Sequence, residues 1–372
     1  MLDYSLVRWA DDICILGAIL GCAYALLASL LVFRYSKGHN VHRGIPIPVT
    51  ILKPLHGAEP CLFSHLTSFC NQDYSAPIQI VFGTLDRDDP AVKTVERLKK
   101  VFPDKSLEIK IDSREHGSNR KISNLINMLP AARHDTLIIA DSDIKVAPNY
   151  LADVVSHLQR PDVGAVTCLY HGIGGASIWS RLAATAINMH FLPLVTVALR
   201  FRLAQPCFGA TIAMRRDTLN RIGGFSVFAD YLADDYAIGQ AVRGLGDKVV
   251  ISHVIVGHVC FESDFAALLA QQVRFARTIR SIDPIGYVGS IVVHPLPLAL
   301  IAALMGTNQT ALLLAAVLAC RVAACLSRQP FNANAPGSMI NPNDAARRRP
   351  CDDSRRSATA RASSPRRRRI PC

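Results

Sequence analysis

Two aspartates one residue apart, Asp141 and Asp143, end the apolar run TLIIADSDIKV from Thr136 to Val146. Carboxylates in that number suit a hard divalent cation, Mg²⁺ or Mn²⁺, which completes its shell with water and substrate phosphate. The implied ligand is a nucleotide diphosphate. A strand continuing through the pair would send both carboxylates to one side and Ser142 to the other. Alone, the same residues also suit an Asx-turn ahead of Pro148, so their meaning depends on what stands around them.

Four other clusters carry chemistry. In QIVFGTLDRDDP, Asp86, Asp88 and Asp89 follow an apolar run. A carboxylate there can accept hydrogen bonds from a uracil or a ribose hydroxyl; a solvated turn before Pro90 is the other reading. In HGSNRKISNLIN, Gly117 and Asn119 precede a helix beginning near Lys121, with Asn124 one turn on. Helix N-terminal amides beside a lysine make a diphosphate site, although a simple capping region has the same pattern. In GGFSVFADYLADDYAIG, Gly223 and Gly224 loosen a loop before Asp234 and Asp235. An apolar setting raises a carboxyl pKa toward that of a general base, and two charges on an exposed helix face are the alternative. In QQVRFARTIR, Gln271, Arg274 and Phe275 fall on one helix face. A guanidinium is suited to bidentate phosphate contact, and an amphipathic basic helix is equally suited to lying at a membrane surface.

These clusters need a frame. Short apolar runs at Val49 to Leu52, Ile78 to Thr84, Leu107 to Ile111, Thr136 to Ala140 and Val163 to Cys168 read as strands. Pro90 to Val101 and Lys121 to Leu129 read as helices. Such alternation predicts an α/β sandwich on a mainly parallel sheet, with ligands held at the carboxyl ends of the strands. HGIGGAS at 171–177 has serine where a dinucleotide motif needs its third glycine, and no G-x-x-x-x-G-K-[ST] occurs, which disfavours dehydrogenases and P-loop enzymes.

Half of the 372 residues are hydrophobic, so membrane segments are expected. Ile13 to Phe33 is 21 residues without a charge, enough to span a hydrocarbon core of roughly 30 Å. Asp11 and Asp12 precede it and Arg34, Lys37 and Arg43 follow, which places the chain beyond it in the cytoplasm. Tyr287 to Met305 and Thr310 to Leu326 are again apolar and predict one or two further membrane segments. Between the two regions, residues 45–283 suffice for one globular domain. The eleven cysteines contain no C-x-x-C pair and no zinc spacing, and fit reduced cytosolic thiols.

The net charge of +12 is concentrated at one end. From Phe331 onward ten arginines against three aspartates give +7, leaving +5 for the rest. Composition predicts a disordered tail over 331–372. No nucleic-acid module accompanies the arginines, so anionic lipid is the expected attraction and no nucleic-acid partner is expected. An abrupt change of composition also fits a translation artefact.

The order of these clusters, D-x-D-D, then DSD after a strand, then D-D-Y, then Q-x-x-R-aromatic ahead of apolar segments, resembles the family 2/21 glycosyltransferases of GT-A fold. The phrases VTILKPLHGAEP, QIVFGTLDRDDP, PCFGATIAMRR, LADDYAIG and QVRFARTIR are similar in particular to ceramide glucosyltransferases, above all the bacterial branch associated with hopanoid biosynthesis. The resemblance runs from about Leu26 to Leu304. It implies that Asp86, Asp88, Lys121, Asn124, Gln271, Arg274 and Phe275 bind a UDP-sugar, and that Asp141 and Asp143 hold Mg²⁺ or Mn²⁺. It implies that Asp235, beside Asp234, is the base, and that His190 lies near a membrane-lipid acceptor. The family tryptophan is Phe275 here, which keeps a ring for stacking and loses the indole N–H. The implied reaction is inverting transfer to a lipid primary hydroxyl: a hopanoid polyol with UDP-N-acetylglucosamine first, ceramide with UDP-glucose second. An inactive membrane-anchored nucleotide-sugar-binding protein is the reading from another class. A processive polysaccharide synthase would need more membrane helices than this chain supplies.

Overall fold

The computed structural model describes residues 4–37, 44–305 and 308–326. Helix α1 (Tyr4–Lys37) contains the uncharged run 13–33. Strands β1 (Val49–Pro54), β2 (Ile78–Thr84), β3 (Ser106–Ile111) and β4 (Thr136–Ile139) follow, with α2 (Leu62–Cys70), α3 (Pro90–Val101) and α4 (Arg120–Met128) as crossovers. Both predicted helices start where their caps stand. The Asp89 carboxylate accepts from the Ala91 N–H at 2.8 Å with Pro90 in the first turn, and Asn119 accepts from the Ile122 N–H at 3.1 Å.

The second half supplies β5 (Ile144–Lys145), α5 (Tyr150–Leu158), β6 (Val163–Thr167), β7 (Tyr170–Gly174), α6 (Ile178–Ala186) and α7 (Leu192–Arg200). After them come β8 (Ile212–Arg215), α8 (Arg216–Arg221), α9 (Asp234–Gly244), β9 (Lys248–Ile251) and β10 (Val256–Cys260). A seven-stranded sheet forms in the order β3-β2-β1-β4-β8-β6-β9, and β5-β10-β7 make a small second sheet. Strands β1 to β4 are parallel, but β8 runs antiparallel to both β4 and β6, so the sheet is mixed. Sequence runs alone do not mark β7 to β10, which are short and interrupted by polar residues.

β1, β2 and β4 are mostly apolar and buried because both faces are covered. Ile51, Ile80, Phe82 and Ile138 enter the core on one side, and Leu52, Val81, Leu137 and Ile139 enter the core on the other. Polar groups therefore collect where strands end.

A π-helical turn (Ile187–Phe191) joins α6 to α7, and residues 178–200 form a second helical stretch long and apolar enough to cross a membrane. Hydropathy at the chain ends does not reveal this stretch. Helices α10 (Phe265–Ile282), α11 (Pro284–Gly289), α12 (Pro295–Met305) and α13 (Asn308–Leu326) complete the described chain. Pro295 starts α12 rather than kinking a longer helix. Buried Ala18, Ala299 and Val317 pack α1 against α12 and α13. The arginine-rich tail lies outside the described residues.

Candidate active site

β4 ends at Ile139, and the backbone then turns, the Ile144 N–H donating to the Asp141 carbonyl at 3.3 Å. The expected strand alternation through DSD therefore does not hold, because the two aspartates sit in a turn with different partners. Asp141 Oδ1 meets Lys121 Nζ at 2.7 Å. Asp143 Oδ2 lies 3.4 Å from His258 Nδ1 on β10, and its carbonyl accepts from the Val259 N–H at 3.0 Å. Ser142 does point elsewhere, its hydroxyl donating to Glu59 Oε1.

Lys53, fully buried at the end of β1, fastens this turn from below. Its ammonium donates to the Asp141 carbonyl and lies 4.0 Å from the centre of the Phe69 ring. Burial pulls Lys53 down to about 8, with Asp143, Asp141 and Glu59 pulling the other way. Burial pushes Glu59 up to about 7. Asp143 suffers the same burial, yet His258 and Lys53 hold it below the usual carboxylate range. Its Oδ1 is buried without a hydrogen-bond partner among the described residues. An orphaned carboxylate oxygen beside a second aspartate is a donor set that fits a hard cation.

The acidic pair of α9 comes to the same place. Asp234 Oδ2 is 3.5 Å from Lys121 Nζ, so one ammonium bridges Asp141 and Asp234. Asp235 Oδ2 accepts from the Gly209 N–H at 2.9 Å, and Oδ1 accepts from the Tyr236 N–H at 2.8 Å. Burial raises the Asp235 carboxyl above its ordinary value and the Asp234 charge adds to this, against the pull of Lys121. Gly209 occupies the centre: a Cβ there would stand 3.0 Å from Lys121 Nζ, 3.2 Å from Asp141 Oδ2 and 3.5 Å from Asp235 Oδ2. The loop bringing Asp234 and Asp235 in turns sharply at Gly223 and Gly224, whose φ values of 92° and 74° favour glycine. That loop docks on the start of α4, where Asn119 Nδ2 donates to the Tyr231 carbonyl at 2.8 Å.

Asp86 and Asp88 lie exposed beyond the end of β2, Asp86 Oδ1 accepting from the Asp88 N–H at 3.0 Å. Asp89 is instead a structural cap that also accepts from the Gly57 N–H at 2.8 Å. Asn124 is buried, and its Nδ2 donates to the Gly83 carbonyl at 2.8 Å, which ties α4 to β2.

On α10, Arg274 lines a cleft of about 540 Å³ opposite Leu232, together with Leu269, Val273 and Arg277. Gln271 and Phe275 are not on its wall, although the Arg274 guanidinium lies 5.9 Å from the Phe275 ring centre. His190 stands in the π-helical turn, its ring 4.8 Å from that of His294 just ahead of α12. It is therefore grouped with the apolar helices and not with the aspartates.

Sequence reasoning misses Lys53, Glu59, Gly209 and His258. A lysine in a strand, a histidine in a valine-rich run and a lone glycine carry no local signal. PCFGATIAMRR is the phrase that contains Gly209, and only pairing of β8 with β4 brings that region to Asp141.

A mixed sheet carrying an acidic cluster beyond its strand ends is the architecture of the GT-A glycosyltransferases. The chain belongs to glycosyl transferase family 21, whose family model matches residues 13–340. Ceramide glucosyltransferase 1 of Caenorhabditis elegans is 26% identical over 269 residues, 67% of this chain and 55% of that protein. Ceramide glucosyltransferase 3 of the same organism is 26% identical over 254 residues, 65% and 54% respectively. The chain spans about half the length of these curated relatives. The mannosyltransferase PcManGT from Pyrobaculum calidifontis, solved in complex with GDP-Man and Mn²⁺, matches with a TM-score of 0.50 at 22% identity, covering 86% of this chain and 97% of that one. That likeness shows the shared fold.

Proposed function

We propose that this chain is a membrane-bound inverting glycosyltransferase that moves a hexose or N-acetylhexosamine from a UDP-sugar to a primary hydroxyl of a membrane lipid. The observation carrying this reading is the convergence of Asp141, Asp234 and Asp235 around Lys121 and Gly209 beyond the strand ends, with Asp143 in the same turn as Asp141. Asp141 and Asp143 would hold Mg²⁺ or Mn²⁺, as the orphaned Asp143 oxygen suits, and the cation supplies charge stabilisation for the departing diphosphate.

The other steps belong to the protein. Asp86 and Asp88, exposed beyond β2, receive the nucleoside. Lys121 keeps Asp141 and Asp234 together and offers a positive charge to the diphosphate; Arg274 and Arg277 do so from α10. Asp235 takes the hydroxyl proton as the acceptor oxygen bonds to the sugar C1, and the C1–O bond to UDP breaks with its electron pair leaving on UDP. A base so placed contributes roughly 10² to 10⁴ in rate. Attack opposite the leaving group inverts the anomeric centre.

We place the catalytic domain at 45–283, facing the cytoplasm of a bacterial inner membrane, with a membrane span at 13–33 and further membrane segments at 287–326. Arg34, Lys37 and Arg43 support that orientation. A hopanoid polyol with UDP-N-acetylglucosamine is the first acceptor and donor, favoured by the sequence phrases. Ceramide with UDP-glucose is the second, favoured by the relatives' names. Mass spectrometry of lipids from membranes given each donor with each acceptor tests both: a new glycolipid names the pair. UDP-sugar binding without lipid-dependent UDP release would instead support an inactive binding protein.

A further inference from the structure

Away from the aspartate cluster, three metal-ligating side chains meet behind the main sheet. Asp153 and His157 stand one turn apart on α5, and His253 lies in the connection from β9 to β10. His157 Nε2 and His253 Nδ1 face each other at 3.3 Å. Asp153 Oδ1 is 3.7 Å from His253 Nδ1, and Asp153 Oδ2 is 3.7 Å from His157 Nε2. Zinc bonds to nitrogen and oxygen of about 2.0–2.2 Å in a tetrahedron separate the ligand atoms by roughly 3.3–3.6 Å. The 3.3 Å between the two imidazole nitrogens, and the 3.7 Å from each to its nearer Asp153 oxygen, are close to such edges.

A second observation points the same way. The Asp153 side chain is fully buried, and its Oδ1 accepts no hydrogen bond among the described residues. Oδ2 is held by the Ser252 hydroxyl and by the His253 N–H at 3.0 Å. Oδ2, oriented by the protein, faces His157, while Oδ1 is left toward His253. An oriented carboxylate with a free oxygen is how ligands are fixed from behind.

We propose that Asp153, His157 and His253 bind a zinc ion, distinct from the cation of the Asp141 and Asp143 site. The donor sets differ in kind: two imidazoles and one carboxylate oxygen suit zinc, whereas an all-carboxylate pair suits Mg²⁺ or Mn²⁺. Three protein ligands leave a fourth position for water, and His253, with a side chain 24% exposed, provides the route in. The site joins α5 to the β9–β10 connection. The Tyr35 hydroxyl donates to the Ser252 carbonyl at 2.7 Å, so the same connection is also fastened to the end of α1. The ion therefore clamps the globular part where it meets its first apolar helix.

The test is zinc analysis of the full chain, purified in detergent without a polyhistidine tag, incubated with zinc chloride and freed of loose metal on a chelating resin. Roughly one zinc per chain is expected, as one tetrahedral site requires. Asp141→Asn/Asp143→Asn should keep that zinc, and His253→Ala and His157→Ala should lose it. Zinc absent from the wild-type chain, or retained undiminished in both histidine variants, overturns the proposal. Should those variants fail to fold, cobalt on the wild-type chain decides: an intense visible band of tetrahedral cobalt, displaced by zinc, supports the site, and a weak octahedral spectrum overturns it.

Discussion

At the scale of single residues, the chemistry rests on groups whose surroundings differ although their types do not. Asp235 and Asp141 are both aspartates, but Asp141 is tied to an ammonium at 2.7 Å while Asp235 accepts from two backbone N–H groups. A base must be ionised to accept a proton, so kcat/KM should fall as pH drops through the Asp235 pKa. Burial and Asp234 raise that value, which puts the acidic limb above the ordinary aspartate value near about 4. Asp234→Asn should move the limb to lower pH, measured as a pH profile of kcat/KM. Asp235→Asn should bind UDP with little change in Kd by calorimetry while kcat falls by roughly 10² to 10⁴; normal turnover would remove Asp235 from the base role. Gly209→Ala tests the crowding directly. The added methyl must displace Lys121 and Asp141 side chains by a few tenths of an ångström, so turnover should drop at least about tenfold, since misplacement on an ångström scale costs roughly 10²-fold. Its melting temperature should stay near that of the wild type.

At the scale of elements, the cluster depends on how α4 and α9 approach the sheet. Asn124 ties α4 to β2, and Asn124→Ala removes that bond while the Gly83 carbonyl keeps the Leu55 N–H as donor at 2.8 Å. A loss of about 0.5–1.5 kcal/mol in stability, the net worth of one hydrogen bond, is expected from denaturant unfolding, with donor affinity changed only as far as Lys121 is shifted. No change in stability would return Asn124 to a ligand-binding role. On α10, Phe275 keeps the aromatic ring of its motif and lacks the indole donor. Phe275→Trp should lower the Kd for UDP-sugar, and Phe275→Ala should raise it, both read by calorimetry. Equal affinities for all three would place Phe275 outside the donor site.

At the scale of the whole molecule, the apolar helices surround the domain on one flank. Buried Val32 of α1 and Leu192 of α7 meet at Leu169, close to the β9–β10 connection. Trp9, Ile13, Leu16 and Ile19 of α1 remain exposed, as a lipid-facing surface would be. Alkaline carbonate washing should therefore leave the chain in the membrane pellet, and release into the supernatant would remove the spanning reading. A hydrophobic acceptor reaches a cytosolic nucleotide only at such an interface. His190, between α6 and α7, is placed on that flank and not among the aspartates.

The sequence by itself determined the strands β1 to β4 and β6, the helices α3 and α4, and the helix over the first apolar run. These follow from local rules: buried strands read as apolar runs, and helices as the stretches between them. The resemblance carried by the order of short acidic motifs also grouped Asp141, Asp143, Asp234 and Asp235, and Lys121 bridges Asp141 to Asp234. Only the tertiary structure decided that DSD is a turn and that Lys53 and His258 hold it. It alone decided that Asn124 faces inward, that Gly209 sits where a side chain would intrude, and that Asp153 meets two histidines. Those facts depend on pairing between segments far apart in the chain, such as β8 against β4 and β10 against β5. Periodicity and capping reach only a few residues along a backbone. Burial and charge depend on what the rest of the chain brings alongside.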